Sequence, residues 1–247
     1  MRAILLLPAL LLTAAPLAAC SVDGDDGGPG ASAAGTGTAR TFAITGFTGV
    51  ALRGSDDVDV RVGPAFSVRA EGPSAELDKL KIERVGDMLR VGRKPNSGFS
   101  WGGQHRSVKV FVTMPRIAAA QIAGSGNLAI DRVTGGDFDG DSAGSGNLSI
   151  ALLTVPHAKL SIAGSGDIAA KGAVDRLTVD VAGSGNVTAN GLKARGATVS
   201  VAGSGNVRAE VVGSAAVSIV GSGDVDLGRG AKCATTKIGS GEVHCGG

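Results

Sequence analysis

The chain has 247 residues, 41 of them Gly, with six Phe, one Trp, no Tyr and a formal charge of +2. Gly at this density without a Gly-every-third period excludes collagen. The near-neutral balance excludes a basic field for nucleic acid, and the scarcity of aromatics removes platforms for stacking bases. Hydrophobic residues make up 43%, mostly Ala, Val, Leu and Ile, which suits a narrow core better than a broad globular one.

Residues 1–19 read as a secretory leader. Met1-Arg2 gives a positive start, and Ala3 to Leu17 is apolar but too short and too broken by Pro8 and Pro16 to span a membrane. It ends in Leu17-Ala18-Ala19-Cys20, which resembles the lipobox of bacterial lipoproteins and implies cleavage before Cys20 and acylation of its thiol. Residues 20–39 follow as the lipidated Cys and a linker of Gly, Ser, Asp and Ala with little to bury. As coil it would reach about 24 Å. Similarity to proteobacterial lipoproteins implies, from Ser21 after the Cys, sorting to the outer membrane. Acyl chains buried in lipid anchor durably, at about 0.8 kcal/mol per CH₂.

From residue 40 the pattern is that of strands. Thr41 to Ile44, Val58 to Val62 and Val108 to Val112 alternate apolar and polar at period two. Ser74 to Val85 alone suggests a short helix, with Ser74 as cap and Leu77 and Leu80 three apart. Between Asn96 and Gln104, Phe99 and Trp101 stand among Gly and Ser, either as a contact for a partner or as a cover over an open side of the fold. The covering role is the expectation.

One phrase then recurs seven times. Gly-Ser-Gly followed by Asn, Asp or Glu places serines at Ser125, Ser145, Ser165, Ser184, Ser204, Ser222 and Ser240, and polar partners at Asn127, Asn147, Asp167, Asn186, Asn206, Asp224 and Glu242. Successive serines are 18 to 20 residues apart, the period of a solenoid whose coils bury their apolar faces only against each other. Around the phrase, residues such as Val199, Val201, Val207 and Ala209 share one parity, inward, with Ser200, Ala202, Ser204 and Asn206 outward. The glycines would either point inward or set a bend that only Gly tolerates. Stacked coils would line the serines into a row about 29 Å long. The amides beside them would form a ladder of hydrogen bonds, with Asp224 over Glu242 as the one repulsive step, to be splayed or solvated. A degenerate eighth copy, Gly54-Ser55-Asp56-Asp57, extends the solenoid to the start of the domain. The domain is therefore read as a single unit over 40–247, with irregular coils over 40–116 and regular coils over 117–247.

Phe42 and Phe47 with Val50, the Met114-Pro115 turn and the Ala-Gly-Ser-Gly-Asn corners together resemble the bacterial putative auto-transporter adhesin head domain, the GIN domain. That resemblance implies an all-β fold, a right-handed single-stranded parallel β-helix with coils of about 18–20 residues, on exported and often lipid-anchored proteins. It implies no catalytic residue.

The chemistry-bearing residues point the same way. A nucleophile elbow needs a strand-to-helix turn with a His and an acid in reach, whereas here the serine recurs seven times with only His105, His157 and His244 in the chain. Ca²⁺ corners would need Asp where four of seven copies carry Asn, a weak ligand. The run Asp137 to Asp141 reads as a solvated turn. Cys233 and Cys245 remain as an even pair once Cys20 is acylated and are expected to form a disulfide; metal binding with His244 is the poorer alternative. The basic stretch from Lys79 to Lys94 reads as a solvated face. No cofactor and no metal are expected. The function expected is a lipid-anchored, non-enzymatic envelope scaffold or adhesin, held to the membrane by its lipid and meeting an envelope or extracellular polymer or protein. The alternatives are a polysaccharide-active β-helix enzyme or a structural component that self-associates into homo-oligomers through its coil ends.

Overall fold

The computed structural model describes residues 30–95 and 108–246. The leader, Cys20, and the loop with Phe99 and Trp101 lie outside the described residues. In chain order the first half comprises β1 (Ala33–Ala34), β2 (Ala39–Phe42), β3 (Gly49–Gly54), β4 (Asp57–Val62), β5 (Ser67–Glu71), α1 (Ser74–Leu77), β6 (Leu80–Val85), β7 (Met88–Arg93) and β8 (Lys109–Met114). The second half comprises β9 (Ala119–Gly124), β10 (Leu128–Ile130), β11 (Val133–Thr134), β12 (Phe138–Gly144), β13 (Leu148–Gly164), β14 (Ile168–Gly183), β15 (Val187–Gly203), β16 (Val207–Val211), β17 (Gly213–Gly221), β18 (Val225–Asp226), β19 (Ala231–Gly239) and β20 (Val243–His244).

From β9 onward each coil lies in parallel register on the one before it. Ile122 aligns with Ser142, Ile162, Val181, Val201 and Ile219, and Leu128 with Leu148, Ile168, Val187, Val207 and Val225. Both rows are buried, so the period-two alternation of the sequence becomes an inner and an outer row, and the chain is a β-solenoid. A coil has three sides. In β13 the first is Leu148–Ile150, the second begins at Leu153 after a register shift, and the third runs from His157 to Gly164. Ser142 interrupts the aliphatic row, and its Oγ donates to the Gly146 carbonyl at 2.7 Å, which satisfies the hydroxyl within the core.

The corner explains the glycines. The first glycine of each copy has φ between +120° and +137°, a region closed to side chains. Its carbonyl accepts N–H groups from the next coil, as Gly124 O does from Ser145 and Gly146 at 2.9 and 3.0 Å. A Cβ on the first glycine of that next coil would fall within 3.0 Å of the same carbonyl. The second glycine is the buried one. At Gly185 a Cβ would meet the Gly166 carbonyl and the Ile162 side chain, both within 3.0 Å. The two roles expected of the glycines, bend and inward packing, are thus divided between them.

The first half departs from the expected run of irregular coils. β3 and β4 form a true coil, stacked on β9 and β10 with Gly54 over Gly124. The coil on their other face is β7 and β8, which come later in the chain. Beyond it the strands turn antiparallel, with β6 on β7, β5 on β8, β2 on β5 and β1 on β2. The physical reason is the sheet edge. A parallel stack ends in unpaired N–H and C=O groups, and antiparallel additions close them. Residues 31–39, assigned by composition to the linker, join this cap: Ala31 N–H donates to Ile82 O at 2.8 Å, and Ala33 and Ala34 pair with Phe42 and Thr41. The helix is a single turn. Pro73, not Ser74, stands at its N-terminal boundary, and no side chain caps it. Leu77 and Leu80 are both buried, although Leu80 opens β6.

Asp56 occupies the place of a second glycine in the earliest corner and is buried. It accepts from Arg93 Nε at 2.9 Å and Nη2 at 2.6 Å and from Val108 N–H at 3.1 Å. Arg93 also pairs with Glu76, which Lys79 contacts at 2.7 Å. The hydrogen bonds from Lys79 and then Arg93 hold the Glu76 carboxyl down at about 2. The stability this ionisation contributes is complete above about pH 4.5 and is lost as pH falls toward about 2.

The corner geometry generates a direct prediction. Gly185→Ala should destabilise the protein by about 2–3 kcal/mol through overpacking against the neighbouring coil. Gly136→Ala, at an exposed site where a Cβ meets nothing within 4 Å, should be near neutral. Urea denaturation of the two variants separates them; equal midpoints would contradict the assignment.

Candidate interaction surface

The predicted polar rows both exist and differ in kind. The serines Ser125 to Ser240 are all exposed. Their backbone N–H groups from Ser125 to Ser222 donate to the first glycine of the preceding coil at 2.8–3.0 Å. Among the described residues only Ser240 and Ser222 join their hydroxyls, at 3.1 Å. Beside them lies a second outward row, in register along the axis: Ala123, Ala143, Ala163, Ala182, Ala202, Val220 and Ile238. Ala143, Ala163, Ala182 and Ala202 line a hollow of about 240 Å³ on this face, and Val220 and Ile238 are exposed at its C-terminal end.

The amide row is a bonded ladder. Asn147 Nδ2 donates to Asn127 Oδ1 at 2.9 Å, Asn186 Nδ2 to Asp167 Oδ1 at 3.0 Å and Asn206 Nδ2 to Asn186 Oδ1 at 3.0 Å. The backbone N–H groups of Asp167, Asn186, Asn206, Asp224 and Glu242 donate to the preceding rung's Oδ1 at 2.8–3.1 Å. Asp57 extends the ladder at its start, accepting from Asn127 at 3.0 Å. Each rung must therefore accept from its successor, which Asn and Asp do equally, while Asn alone also donates to its predecessor. At the last step Glu242 offers only its N–H to Asp224, and its carboxylate sits 3.8 Å from His244 Nε2. The ladder oxygens are thus engaged in fixing the corner.

The other candidates resolve as follows. Cys233 and Cys245 are joined in a disulfide with Cα atoms 6.1 Å apart, so neither thiol serves a metal. Their bridge ties β19 to the end of the chain, where the coil has no successor among the described residues. Asp137 pairs with His157 at 2.9 Å, whereas Asp139 and Asp141 lie outward on β12. Burial, reinforced by the neighbouring Asp141, raises the Asp139 carboxyl above its ordinary value, against an opposing pull from Lys159. Among the described residues no group of three or more His, Cys, Asp or Glu is placed to hold a metal ion, and no helix is long and apolar enough to cross a membrane.

The sequence did not point to two grooves on the first and second sides of the coils. One, of about 580 Å³, runs along the second side of the coils over a floor of Val155, Val174 and Ala194. The other, of about 510 Å³, lies across the register shift and includes Ala151, Ala169, Lys171 and Asn190. The second opens where the coils bulge, at Ile150/Leu153 and Ala169/Lys171. The period within each repeat does not mark these bulges.

A family model described as putative auto-transporter adhesin, head GIN domain, matches residues 46–229. The chain belongs to this family. The GIN domain here also shares its fold with solved structures. A putative adhesin from Bacteroides fragilis superposes with a TM-score of 0.77 at 18% identity, covering 84% of this chain and 95% of that one. A putative lipid binding protein from Parabacteroides distasonis gives 0.66 at 23% identity, and a putative adhesin from Parabacteroides merdae 0.65 at 15%, each with the same coverage of 84% and 95%. No curated protein matches.

The alternation of Asn and Asp along the ladder predicts the response to charge. Asn186→Asp sets a second carboxylate against Asp167 and removes the donor between them. It should destabilise the domain by about 1 kcal/mol at low salt and by less at high salt, as exposed charges are screened. Denaturation midpoints at two ionic strengths check this. A loss that salt leaves unchanged would point to packing instead.

Proposed function

We propose that this GIN domain is a lipid-tethered, non-enzymatic interaction scaffold of the cell envelope, held at the outer membrane through Cys20 and acting as an adhesin. The observation that carries the reading is the exposed serine row with its alanine neighbour. Coil after coil presents the same chemistry along a line about 29 Å long, which suits contact with an extended or repeated partner better than turnover of a small substrate. Membership of the adhesin-head family supports it, as does the lipobox-like Leu17-Ala18-Ala19-Cys20. The Cys233–Cys245 bridge suits an oxidising compartment outside the cytoplasm.

The tether and the role are tested together. Cys20→Ser should move the protein from the membrane fraction to the soluble exported fraction, and cells carrying it should lose adherence that the parent chain supports. A Cys20→Ser protein that remains in the membrane fraction would refute the lipid anchor. Adherence unchanged by deletion of the whole chain would refute the adhesin role.

A further inference from the structure

The charges of the solenoid are segregated. The corner and third side carry Asp137, Asp139, Asp141, Asp167, Asp180, Asp224 and Glu242, opposed by Lys159, Arg176, Lys232 and Lys237. Around the two grooves the balance is reversed. Lys171, Lys193 and Arg195 line them against Asp175, with Glu210 beside Lys193. The two ion pairs that form there are exposed, Arg195 with Asp175 at 3.3 Å and Lys193 with Glu210 at 4.0 Å. Such pairs contribute little and exchange readily for another anion. Lys171 has no carboxylate partner among the described residues.

The groove between these cations has a narrow apolar floor, Val155, Val174 and Ala194, which are 5%, 5% and 2% exposed. It is bordered by Thr154 and Lys193 on one wall and by Pro156, Asp175 and Arg195 on the other. The adjoining groove adds Ser149, Thr188 and Asn190, neutral groups that hydrogen-bond hydroxyls in either sense. Both run along the axis, so a ligand lying in them meets a new set of side chains at each coil, about 4.8 Å further on. No aromatic residue lines either groove, which leaves no stacking platform for bases.

We propose that these grooves bind an acidic polysaccharide laid parallel to the solenoid axis, its carboxylates or sulfates on the Lys171–Lys193–Arg195 cations and its rings over the Val155–Val174–Ala194 floor. This deepens the scaffold reading, on which it rests for an extracytoplasmic setting, by naming the partner class. Clustered cations with an acidic opposite face steer such a polymer to one side of the molecule. Segments rich in hydroxyl and carboxylate fit the mixture of cations, hydroxyls and amides on the walls, and neutral glucans lack the charge.

The test is calorimetric titration of the full chain, in detergent, with polygalacturonate. Neutral dextran, poly-glutamate and single-stranded DNA serve as comparison ligands. The expected result is binding of polygalacturonate, none of dextran, and weaker binding of the other two polyanions. Lys171→Gln, Lys193→Gln and Arg195→Gln combined should weaken polygalacturonate binding about tenfold or more, with a shallower salt dependence. Lys237→Gln, on the remote terminal coil, should leave it unchanged. Far-ultraviolet circular dichroism confirms that the variants keep the fold. Equal affinity of parent and triple variant, equal affinity for dextran, or DNA or poly-glutamate binding as tight as polygalacturonate would each overturn the proposal. Because the titration does not use the membrane, polymer binding by a chain whose Cys20→Ser variant stays membrane-bound would leave the groove standing and remove the tether. The reverse outcome would do the opposite.

Discussion

Backbone approaches backbone at every corner of this solenoid, and that contact sets the rest. The first-glycine carbonyls from Gly54 to Gly183 each receive two N–H groups from the next coil, and those of Gly203 and Gly221 one each; the space in which the next coil's Cβ would sit is taken by that carbonyl. Coils can stack at sheet spacing only if nothing projects from the corner toward its neighbour. Once the corners are locked, the aliphatic rows meet in register, the outer rows become straight lines, and the Asx side chains come within bonding distance of one another. The ladder reinforces the corner because its acceptor bonds close onto the backbone of the next coil.

The two ends of the stack meet the same difficulty differently. At the start, the position of a second glycine holds Asp56, and Arg93 with Val108 N–H satisfies its buried carboxylate. Antiparallel strands then cover the edge. At the other end the inward row runs out into polar residues. Thr235 and Lys237 align with Val217 and Ile219 but lie exposed, and a disulfide holds the last coil. Lysines at an open strand discourage pairing with another chain, while the bridge limits fraying.

The regular part of the fold was legible because one local rule repeats. Gly-Ser-Gly at a spacing of 18 to 20 residues names the corner, and the parity of Val199, Val201 and Val207 names the core. The Asn and Asp positions could be read as a ladder from the same period. The first half was not legible in this way. Ser74 to Val85 suggested a short helix, yet Leu80 to Val85 form β6, and whether a strand pairs parallel or antiparallel is decided by which edge needs covering, which no local period encodes. The placement of β7 and β8 outside β3 and β4 is likewise a matter of tertiary edges. Ala33 and Ala34 have the composition of a linker and become a strand because an edge is available to them. The groove across the register shift was missed for a related reason, since it depends on a bulge between sides of a coil. The cations around the two grooves are scattered in sequence and converge only when the coils stack.

Repetition motivates the proposed function. A surface that offers the same side chains at each step suits contact with polymers or repeated structures, and the family model that matches is described as a putative auto-transporter adhesin head. The account rests on stacked corners, and distances between them test it most directly. Spin labels at Ser145 and Ser222, then at Ser125 and Ser240, placed through cysteine substitution with the native disulfide intact, report the rise across four and six steps in solution. Stacking predicts backbone separations of about 19 and 29 Å, in proportion to the number of coils. Distances that fail to grow with coil number, or that scatter broadly, would contradict it.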